Sequence, residues 1–162
     1  RIYSPVRGDD GLFRYSPSWL LPLSRRQIIW GADHFAAGTP PGGRLLIWDK
    51  RDGLTSDNFA DAEVAWDSVS GPTRLFRHRQ MGMINDGFGD GDRCHPNQKP
   101  LALLTWCLSL ALKHTMIVDP YMGSGTTVVA AKSLDRRAIG IEIEPKYCEI
   151  AVKRLRQEVL AI

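Results

Sequence analysis

The sequence is poor in cysteine, with three among its 162 residues. Cys94, Cys107 and Cys148 lie far apart and form no C-x-x-C pair, which argues against a disulfide framework and against a zinc site. We therefore expect no metal, and we expect a reducing, cytoplasmic setting.

Long apolar runs are also missing from the sequence. No stretch approaches the roughly 20 residues that span a bilayer, and the start, R-I-Y-S-P-V-R, has no apolar core of a signal peptide. We expect a soluble protein without membrane contact. The first residue is Arg1 rather than Met, which suggests a fragment of something longer.

Neither sign of charge dominates. The 21 basic and 18 acidic residues leave a formal net charge of +3. This balance permits a polyanionic partner without requiring one. The apolar content of 43% is enough for a hydrophobic core, so we treat residues 1–162 as one domain.

The first half of the chain predicts a β-rich region. Apolar runs at 27–30 and 45–48 predict buried strands. The segments 62–69 and 73–78 alternate in polarity on either side of a Gly71-Pro72 break, which predicts an antiparallel pair.

The final third predicts an α/β arrangement. An apolar helix opened by Pro100 is followed by a strand at 115–118, a helix at 125–134, a strand at 137–143 and an amphipathic helix at 145–160. This alternation is typical of a parallel sheet covered by crossover helices.

A glycine turn, Gly123-Ser124-Gly125, lies where the first of these strands passes into a helix. Ligands of such sheets lie beyond the carboxyl ends of the strands. An acidic residue about 20 residues after the first strand accepts hydrogen bonds from the ribose hydroxyls. Glu142 stands at that position, so the pattern predicts a nucleoside-cofactor site. The alternative is a tight turn beside a solvated glutamate. No Gly-Lys-Ser/Thr follows the turn and no third glycine is present, which argues against a Walker loop and a dinucleotide site.

Three motifs together resemble those of the DNA amino-methyltransferases, which modify an exocyclic nitrogen of adenine or cytosine. They are H-P-N-Q-K-P at 95–100, D-P-Y-M-G-S-G-T-T at 119–127 and G-I-E-I-E-P-K-Y at 140–147. Their order resembles the permuted class, in which the cofactor half follows the catalytic half. Segments at 28–35, 48–53 and 59–66 resemble phage and prophage members of the family.

This resemblance covers nearly the whole chain and implies a fold. We expect the Rossmann-like α/β fold of S-adenosylmethionine-dependent methyltransferases, with a mostly parallel sheet, an antiparallel β-pair and an incomplete N-terminus.

The resemblance also implies which residues bind S-adenosylmethionine. The methionine moiety and the sulfonium would be held by the first motif strand and its turn, Asp119, Pro120, Tyr121, Gly123, Ser124, Gly125 and Thr126. Glu142 would accept hydrogen bonds from both ribose hydroxyls. The other side of the cofactor would meet His95, Asn97, Gln98, Lys99 and Pro100, with Lys99 as a partner for its carboxylate. For His95 and Lys99 the alternatives are a capping histidine and a solvated lysine.

One motif of the family is missing from the chain. It reads Asp, Asn or Ser, then Pro-Pro, then an aromatic residue, and in the family it holds the amino group of the flipped-out base and stacks on its ring. Asp119-Pro120-Tyr121 has one proline and runs into the glycine turn, so it belongs to the cofactor motif. The catalytic residues are therefore unassigned. We expect truncation at the N-terminus and a chain that is marginally stable alone or relies on another segment or partner chain.

Basic residues suggest a surface for double-stranded DNA. The segment 79–94, rich in glycine and aspartate, predicts a flexible loop that could contact DNA. The candidate phosphate contacts are Arg74, Arg77, His78, Arg79 and Arg93. A solvated strand face is the alternative.

The sequence thus predicts the cofactor-binding part of a site-specific DNA methyltransferase from a bacterium or a phage-infected cell, of the kind found in restriction-modification, with adenine weakly favoured over cytosine as the target. Two alternatives stay open. One is a truncated or degenerate module that binds S-adenosylmethionine or DNA without catalysis, which the missing motif supports. The other is a methyltransferase for RNA or protein, which would lack the permuted order with H-P-N-Q-K-P.

Overall fold

A computed structural model describes residues 19–35, 40–52, 60–81, 84–85, 97–113 and 115–156. The chain divides into two compact units, with the boundary between residues 86 and 87. Each unit has its own sheet. That the two units form one methyltransferase domain stays a prediction.

The first unit is built on a four-stranded mixed sheet. Its strands are β1 (Ile28–Trp30), β2 (Arg44–Asp49), β3 (Ala62–Asp67) and β4 (Arg74–Arg77), in the spatial order β1-β3-β2-β4. β3 runs antiparallel to β1 and β2, whereas β4 runs parallel to β2. Short 3₁₀ turns stand before and after β1, at Leu21–Leu23 and Ala32–His34. A two-residue antiparallel ladder, β5 (Gln80–Met81) with β6 (Ile84–Asn85), begins the segment 79–94.

The predicted antiparallel pairing of 62–69 with 73–78 is wrong. β3 lies between β1 and β2, so both of its edges are already hydrogen-bonded. β4 instead joins the free edge of β2, with Leu46 opposite Arg74 and Asp49 opposite Arg77. β3 makes its antiparallel pairs with β1 and β2.

The four-stranded sheet is stabilised by hydrogen bonds of two buried tryptophans and a buried aspartate. Trp48 and Trp66 are buried, and their indole N–H groups donate to the carbonyl oxygens of His78 (2.9 Å) and Gly42 (3.1 Å). Asp67, at the end of β3, is fully buried, and its carboxylate accepts hydrogen bonds from two arginines. Arg26 binds both of its oxygens, at 3.1 and 2.7 Å, and Nε of Arg44 approaches at 2.9 Å.

The second unit alternates helices and strands as predicted. It contains α1 (Leu101–Ser109), β7 (Ile117–Asp119), α2 (Thr126–Ser133), β8 (Ala138–Gly140) and α3 (Pro145–Arg156). β7 and β8 are parallel, with Ile117 opposite Ala138 and Asp119 opposite Gly140. Both strands are shorter than the sequence pattern suggested.

The two faces of the β7–β8 pair differ in burial. On one face Ile117 and Ala138 pack against Leu108 of α1 and against Ala130 and Ala131 of α2. The other face carries large apolar side chains that are about half exposed or more, namely Met116, Val118, Ile139, Ile141 and Ile143. Parallel sheets are normally covered on both faces, so this open apolar face is unusual for the β7–β8 pair.

Candidate functional site

The candidate site begins where β7 ends and the chain turns into α2. Asp119 is the last residue of β7, and its carboxylate accepts the N–H of Tyr121 at 3.0 Å. Gly123 (φ +52°) and Gly125 (φ +85°) adopt left-handed conformations that few side chains tolerate. The N–H of Met122 donates to the carbonyl of Ile141 at 3.0 Å, which ties the turn to the end of β8.

Gly125 is required here for a second reason, the close approach of α3. A Cβ atom at position 125 would lie 2.6 Å from the Cβ of Ala151 and 3.2 Å from Cγ2 of Val128. The small residue Ala151 therefore lets α3 lie directly beside the turn. Gly125 is also the N-cap of α2, and no side chain caps this helix end. The first N–H groups of a helix have no acceptor within the helix, so they are available to a polar or anionic ligand.

Glu142 lies just beyond β8 and is bonded to the turn. One of its carboxylate oxygens accepts the N–H of Gly123 and the other accepts the N–H of Glu144, both at 2.9 Å. A carboxylate has about four acceptor positions, so two such bonds leave room for donors of a ligand. Glu142 is half-buried. Its carboxylate therefore stabilises the turn and remains partly accessible to a ligand.

A buried polar cluster supports the turn on its protein side. Gln98, Ser124 and Thr126 are all more than nine-tenths buried. The Ser124 hydroxyl donates to Oε1 of Gln98 at 3.2 Å. Arg154 of α3 donates to Ser124 and Thr126. The sequence did not identify Arg154, because a basic residue on an amphipathic helix resembles many solvated ones.

The other residues expected at the cofactor occupy different environments. Tyr121 is 63% exposed, Asn97 is exposed and Lys99 is half-buried. Pro100 is buried at the N-cap of α1. His95 lies outside the described residues. Gln98 of the motif 95–100 is hydrogen-bonded to Ser124 of the glycine turn.

The basic residues of the first unit are not all on one face. Arg74 and Arg77 of β4 are exposed, and because successive side chains of a strand alternate, they point to opposite faces. Nε of Arg77 lies 3.5 Å from the Asp49 carboxylate, and Arg79 is half-buried. The ring of His78 stacks on Phe76 at 6.2 Å. Arg93 lies outside the described residues.

Among residues 19–156, apart from the gaps in that range, no group of three or more His, Cys, Asp or Glu side chains could hold a metal ion. The described helices include none that is long and apolar enough to cross a membrane.

The site consists of a parallel strand, a glycine turn, a helix and an acidic residue at the end of the next strand. This arrangement defines an α/β protein with a site for a nucleoside-containing cofactor. Residues 43–153 match the family model for DNA methylase, of the N6/N4 class. The chain belongs to this DNA methylase family, which confirms the resemblance found in the sequence. The permuted order and the phage-like character stay predictions.

Part of the chain is also similar to two type II methyltransferases. The chain is 45% identical over 69 residues to the type II methyltransferase M.HinfI of Haemophilus influenzae, which is 42% of this chain and 19% of that protein. It is 51% identical over 65 residues to the type II methyltransferase M2.DpnII of Streptococcus pneumoniae, which is 40% of this chain and 24% of that protein. These matches span about a fifth to a quarter of the relatives' length.

Solved structures agree with the expected fold. The crystal structure of the M1.HpyAVI-SAM complex superposes with a TM-score of 0.57 at 25% identity, covering 82% of this chain and 74% of that one. The cytosine-N4-specific PvuII DNA methyltransferase has a TM-score of 0.53 at 18% identity, covering 73% of this chain and 52% of that one. The Rossmann-like methyltransferase fold is therefore confirmed.

Proposed function

We propose that this chain is the S-adenosylmethionine-binding part of a DNA amino-methyltransferase. The observation that carries the proposal is the bond between the Glu142 carboxylate and the N–H of Gly123, which joins the acid of one strand to the glycine turn of the next. The similar fold of M1.HpyAVI, solved as a SAM complex, supports the choice of cofactor.

The residues of the turn fit this cofactor. Its ribose has two neighbouring hydroxyl donors, and Glu142 has acceptor positions beyond those used by Gly123 and Glu144. Its amino-acid end carries a carboxylate, which suits the uncapped start of α2 at Gly125. Asp119 and the half-buried Lys99 are proposed as further contacts. When bound, S-adenosylmethionine supplies an electrophilic methyl group on sulfur.

The proposed acceptor is the exocyclic amino group of adenine, or less favourably cytosine, in double-stranded DNA. In-line attack on the methyl group requires a flipped-out base with its amino group held in position. The family's Pro-Pro motif for this task is not among the 162 residues. We propose that another segment or a partner chain provides it, so no residue here is assigned a catalytic role.

A second candidate is a module that binds the cofactor or DNA without catalysis, and the missing motif favours it. Calorimetry with S-adenosylmethionine, paired with transfer of a labelled methyl group to DNA by the chain together with the segment or partner chain that supplies the Pro-Pro motif, separates the two. Binding with transfer supports the enzyme, whereas binding without transfer supports the module. Absence of binding to S-adenosylmethionine would contradict the enzyme, and absence of binding to DNA as well would contradict the module. The same assay with RNA in place of DNA tests the remaining alternative, which the family match does not favour.

The DNA surface and the cellular setting are part of this proposal. Arg74, Arg77, Arg79 and Arg93 are proposed to contact phosphates, with the exposed Arg74 and Arg77 as the residues best suited to do so. Cys148 is a free thiol, which suits the cytoplasm of a bacterial cell.

A further inference from the structure

Arg154 of α3 binds the glycine turn through a single nitrogen. Its Nη1 donates to the carbonyl oxygen of Ser124 at 2.9 Å, to the hydroxyl of Ser124 at 3.2 Å and to the hydroxyl of Thr126 at 3.1 Å. Ser124 and Thr126 are buried, and Arg154 is half-buried. One guanidinium group therefore holds the main chain before α2 and two side chains at its start.

The hydrogen-bond acceptors of Arg154 within the described part of the chain are neutral oxygens. Among the described residues no carboxylate forms an ion pair with it, unlike Arg26 and Arg44, which share Asp67. A partly buried cation that is paired with no carboxylate of the described residues favours a nearby anion, because protein surroundings screen charge less than water does. The positive charge lies beside Thr126, the first residue of α2, and no side chain caps this end of the helix.

The hydroxyl of Ser124 is directed away from solvent. It donates to Gln98 and accepts from Arg154, and Ser124 is only 2% exposed, so its hydroxyl is bonded within the protein. What the turn can offer a ligand at Ser124 is therefore its main chain. The shape of that main chain depends on the bonds that Arg154 makes.

We propose that Arg154 is a positioning residue for the amino-acid end of the cofactor. It holds the turn in one conformation, and its charge attracts the carboxylate of the methionine moiety through the turn. This inference rests on the proposed function. It assigns part of the affinity for the methionine moiety to a residue of α3 that is bonded to the turn.

Two ligands separate this role from general support of the fold. S-adenosylmethionine carries the amino-acid end, whereas 5′-methylthioadenosine has the same nucleoside without it. For Arg154→Gln we expect affinity for S-adenosylmethionine to fall about tenfold or more, since charge-assisted hydrogen bonds are lost. Affinity for 5′-methylthioadenosine should stay within about twofold. Arg154→Lys keeps the charge but not the planar fork, so an intermediate loss is expected.

Arg156→Gln, at an exposed position on the same helix, is the matched control, and calorimetry of the whole chain is the measurement. Equal losses for both ligands, or no loss for either, would overturn the proposal. If Arg154→Gln does not fold, the ratio of the two losses in Arg154→Lys decides in the same way. A wild-type chain that binds neither ligand would contradict the proposed function rather than this role of Arg154.

Discussion

Gly125 and Ala151 are in such close contact that neither position has room for a larger side chain. A Cβ atom at 125 would lie 2.6 Å from the Cβ of Ala151 and 3.1 Å from its Cα. The contact joins the start of α2 to the middle of α3, and Arg154 lies one helical turn further along α3. The packing of two helices thus sets the conformation of the glycine turn.

We predict that Gly125→Ala destabilises the chain by about 2 to 4 kcal/mol, because the left-handed backbone and the overlap both add cost. Gly42→Ala is the control for the backbone cost alone, since Gly42 has a similar φ of +80° and open space around it. It should cost about 1 kcal/mol. Ala151→Gly in the Gly125→Ala background should recover part of the loss. Urea unfolding measures all four chains, and equal costs at 125 and 42 would contradict the packing argument.

Glu142 gives a prediction about the cofactor. Its two oxygens accept from Gly123 and Glu144, and a glutamine would present one acceptor and one donor in their place. Glu142→Gln should therefore weaken S-adenosylmethionine binding about tenfold. Unlike Arg154→Gln, it should weaken 5′-methylthioadenosine comparably, because the ribose is common to both ligands. Glu149→Gln, exposed on α3, is the control; calorimetric affinities that stay unchanged in Glu142→Gln would refute the ribose role.

Asp67 should be the most sensitive charged position in the first unit. It is fully buried, and Asp67→Asn would leave the guanidinium groups of Arg26 and Arg44, whose side chains are 22% and 11% exposed, without their anion. We expect a loss of about 3 kcal/mol in the free energy of unfolding.

Glu63→Gln on the same strand is the matched control for Asp67. It removes the more exposed pair of Glu63 with Lys50 and should cost less than about 1 kcal/mol. A cost for Asp67→Asn as small as that for Glu63→Gln would show that the buried triad contributes little to the folded state.

The open face of the β7–β8 pair predicts how the chain behaves alone. Val118 and Ile139 are paired neighbours on this face and are 57% and 49% exposed. Exposed apolar patches of this kind promote association and bind apolar dyes. The double change Val118→Thr with Ile139→Thr should reduce dye fluorescence and self-association, measured by sedimentation. Leu112→Thr, exposed but off the sheet, should change neither; a wild-type chain that is monomeric and dye-free would contradict the prediction.

Arg74 and Arg77 test the DNA surface. If each contacts one phosphate, neutralising either one should reduce the slope of log affinity against log salt by about 1, equally for any DNA sequence. The variants are Arg74→Gln and Arg77→Gln, with Arg25→Gln as the control outside β4. Affinity measured at several salt concentrations gives the slope. An unchanged slope in both variants would support the solvated strand face instead.

The pattern of helices and strands in the second unit was predictable because it depends on local features. Pro100 begins a helix, the apolar stretches at 117–119 and 138–140 form strands, and glycines at 123 and 125 permit the turn. The spacing of Glu142 from that turn predicted a nucleoside-cofactor site; the carboxylate accepts the N–H of Gly123, and its contact with the ribose stays a prediction.

The pairing of β4 was not predictable in the same way. Alternation at 62–69 and 73–78 indicates strands, but which edge each strand finds depends on the rest of the sheet. β1 and β2 occupy both edges of β3, so β4 pairs with β2. Both strands were predicted correctly. Their closeness in sequence led to the wrong prediction of which strands pair.

By itself the sequence determined the family, the alternation of helices and strands, and the residues of the turn, because short motifs specify backbone conformation and ligand chemistry together. Only the tertiary structure decided which residues support that turn. Arg154 lies 30 residues from Ser124 and resembles its solvated neighbours until α3 packs against Gly125. Contacts of that kind depend on how two helices meet, and no local pattern encodes them.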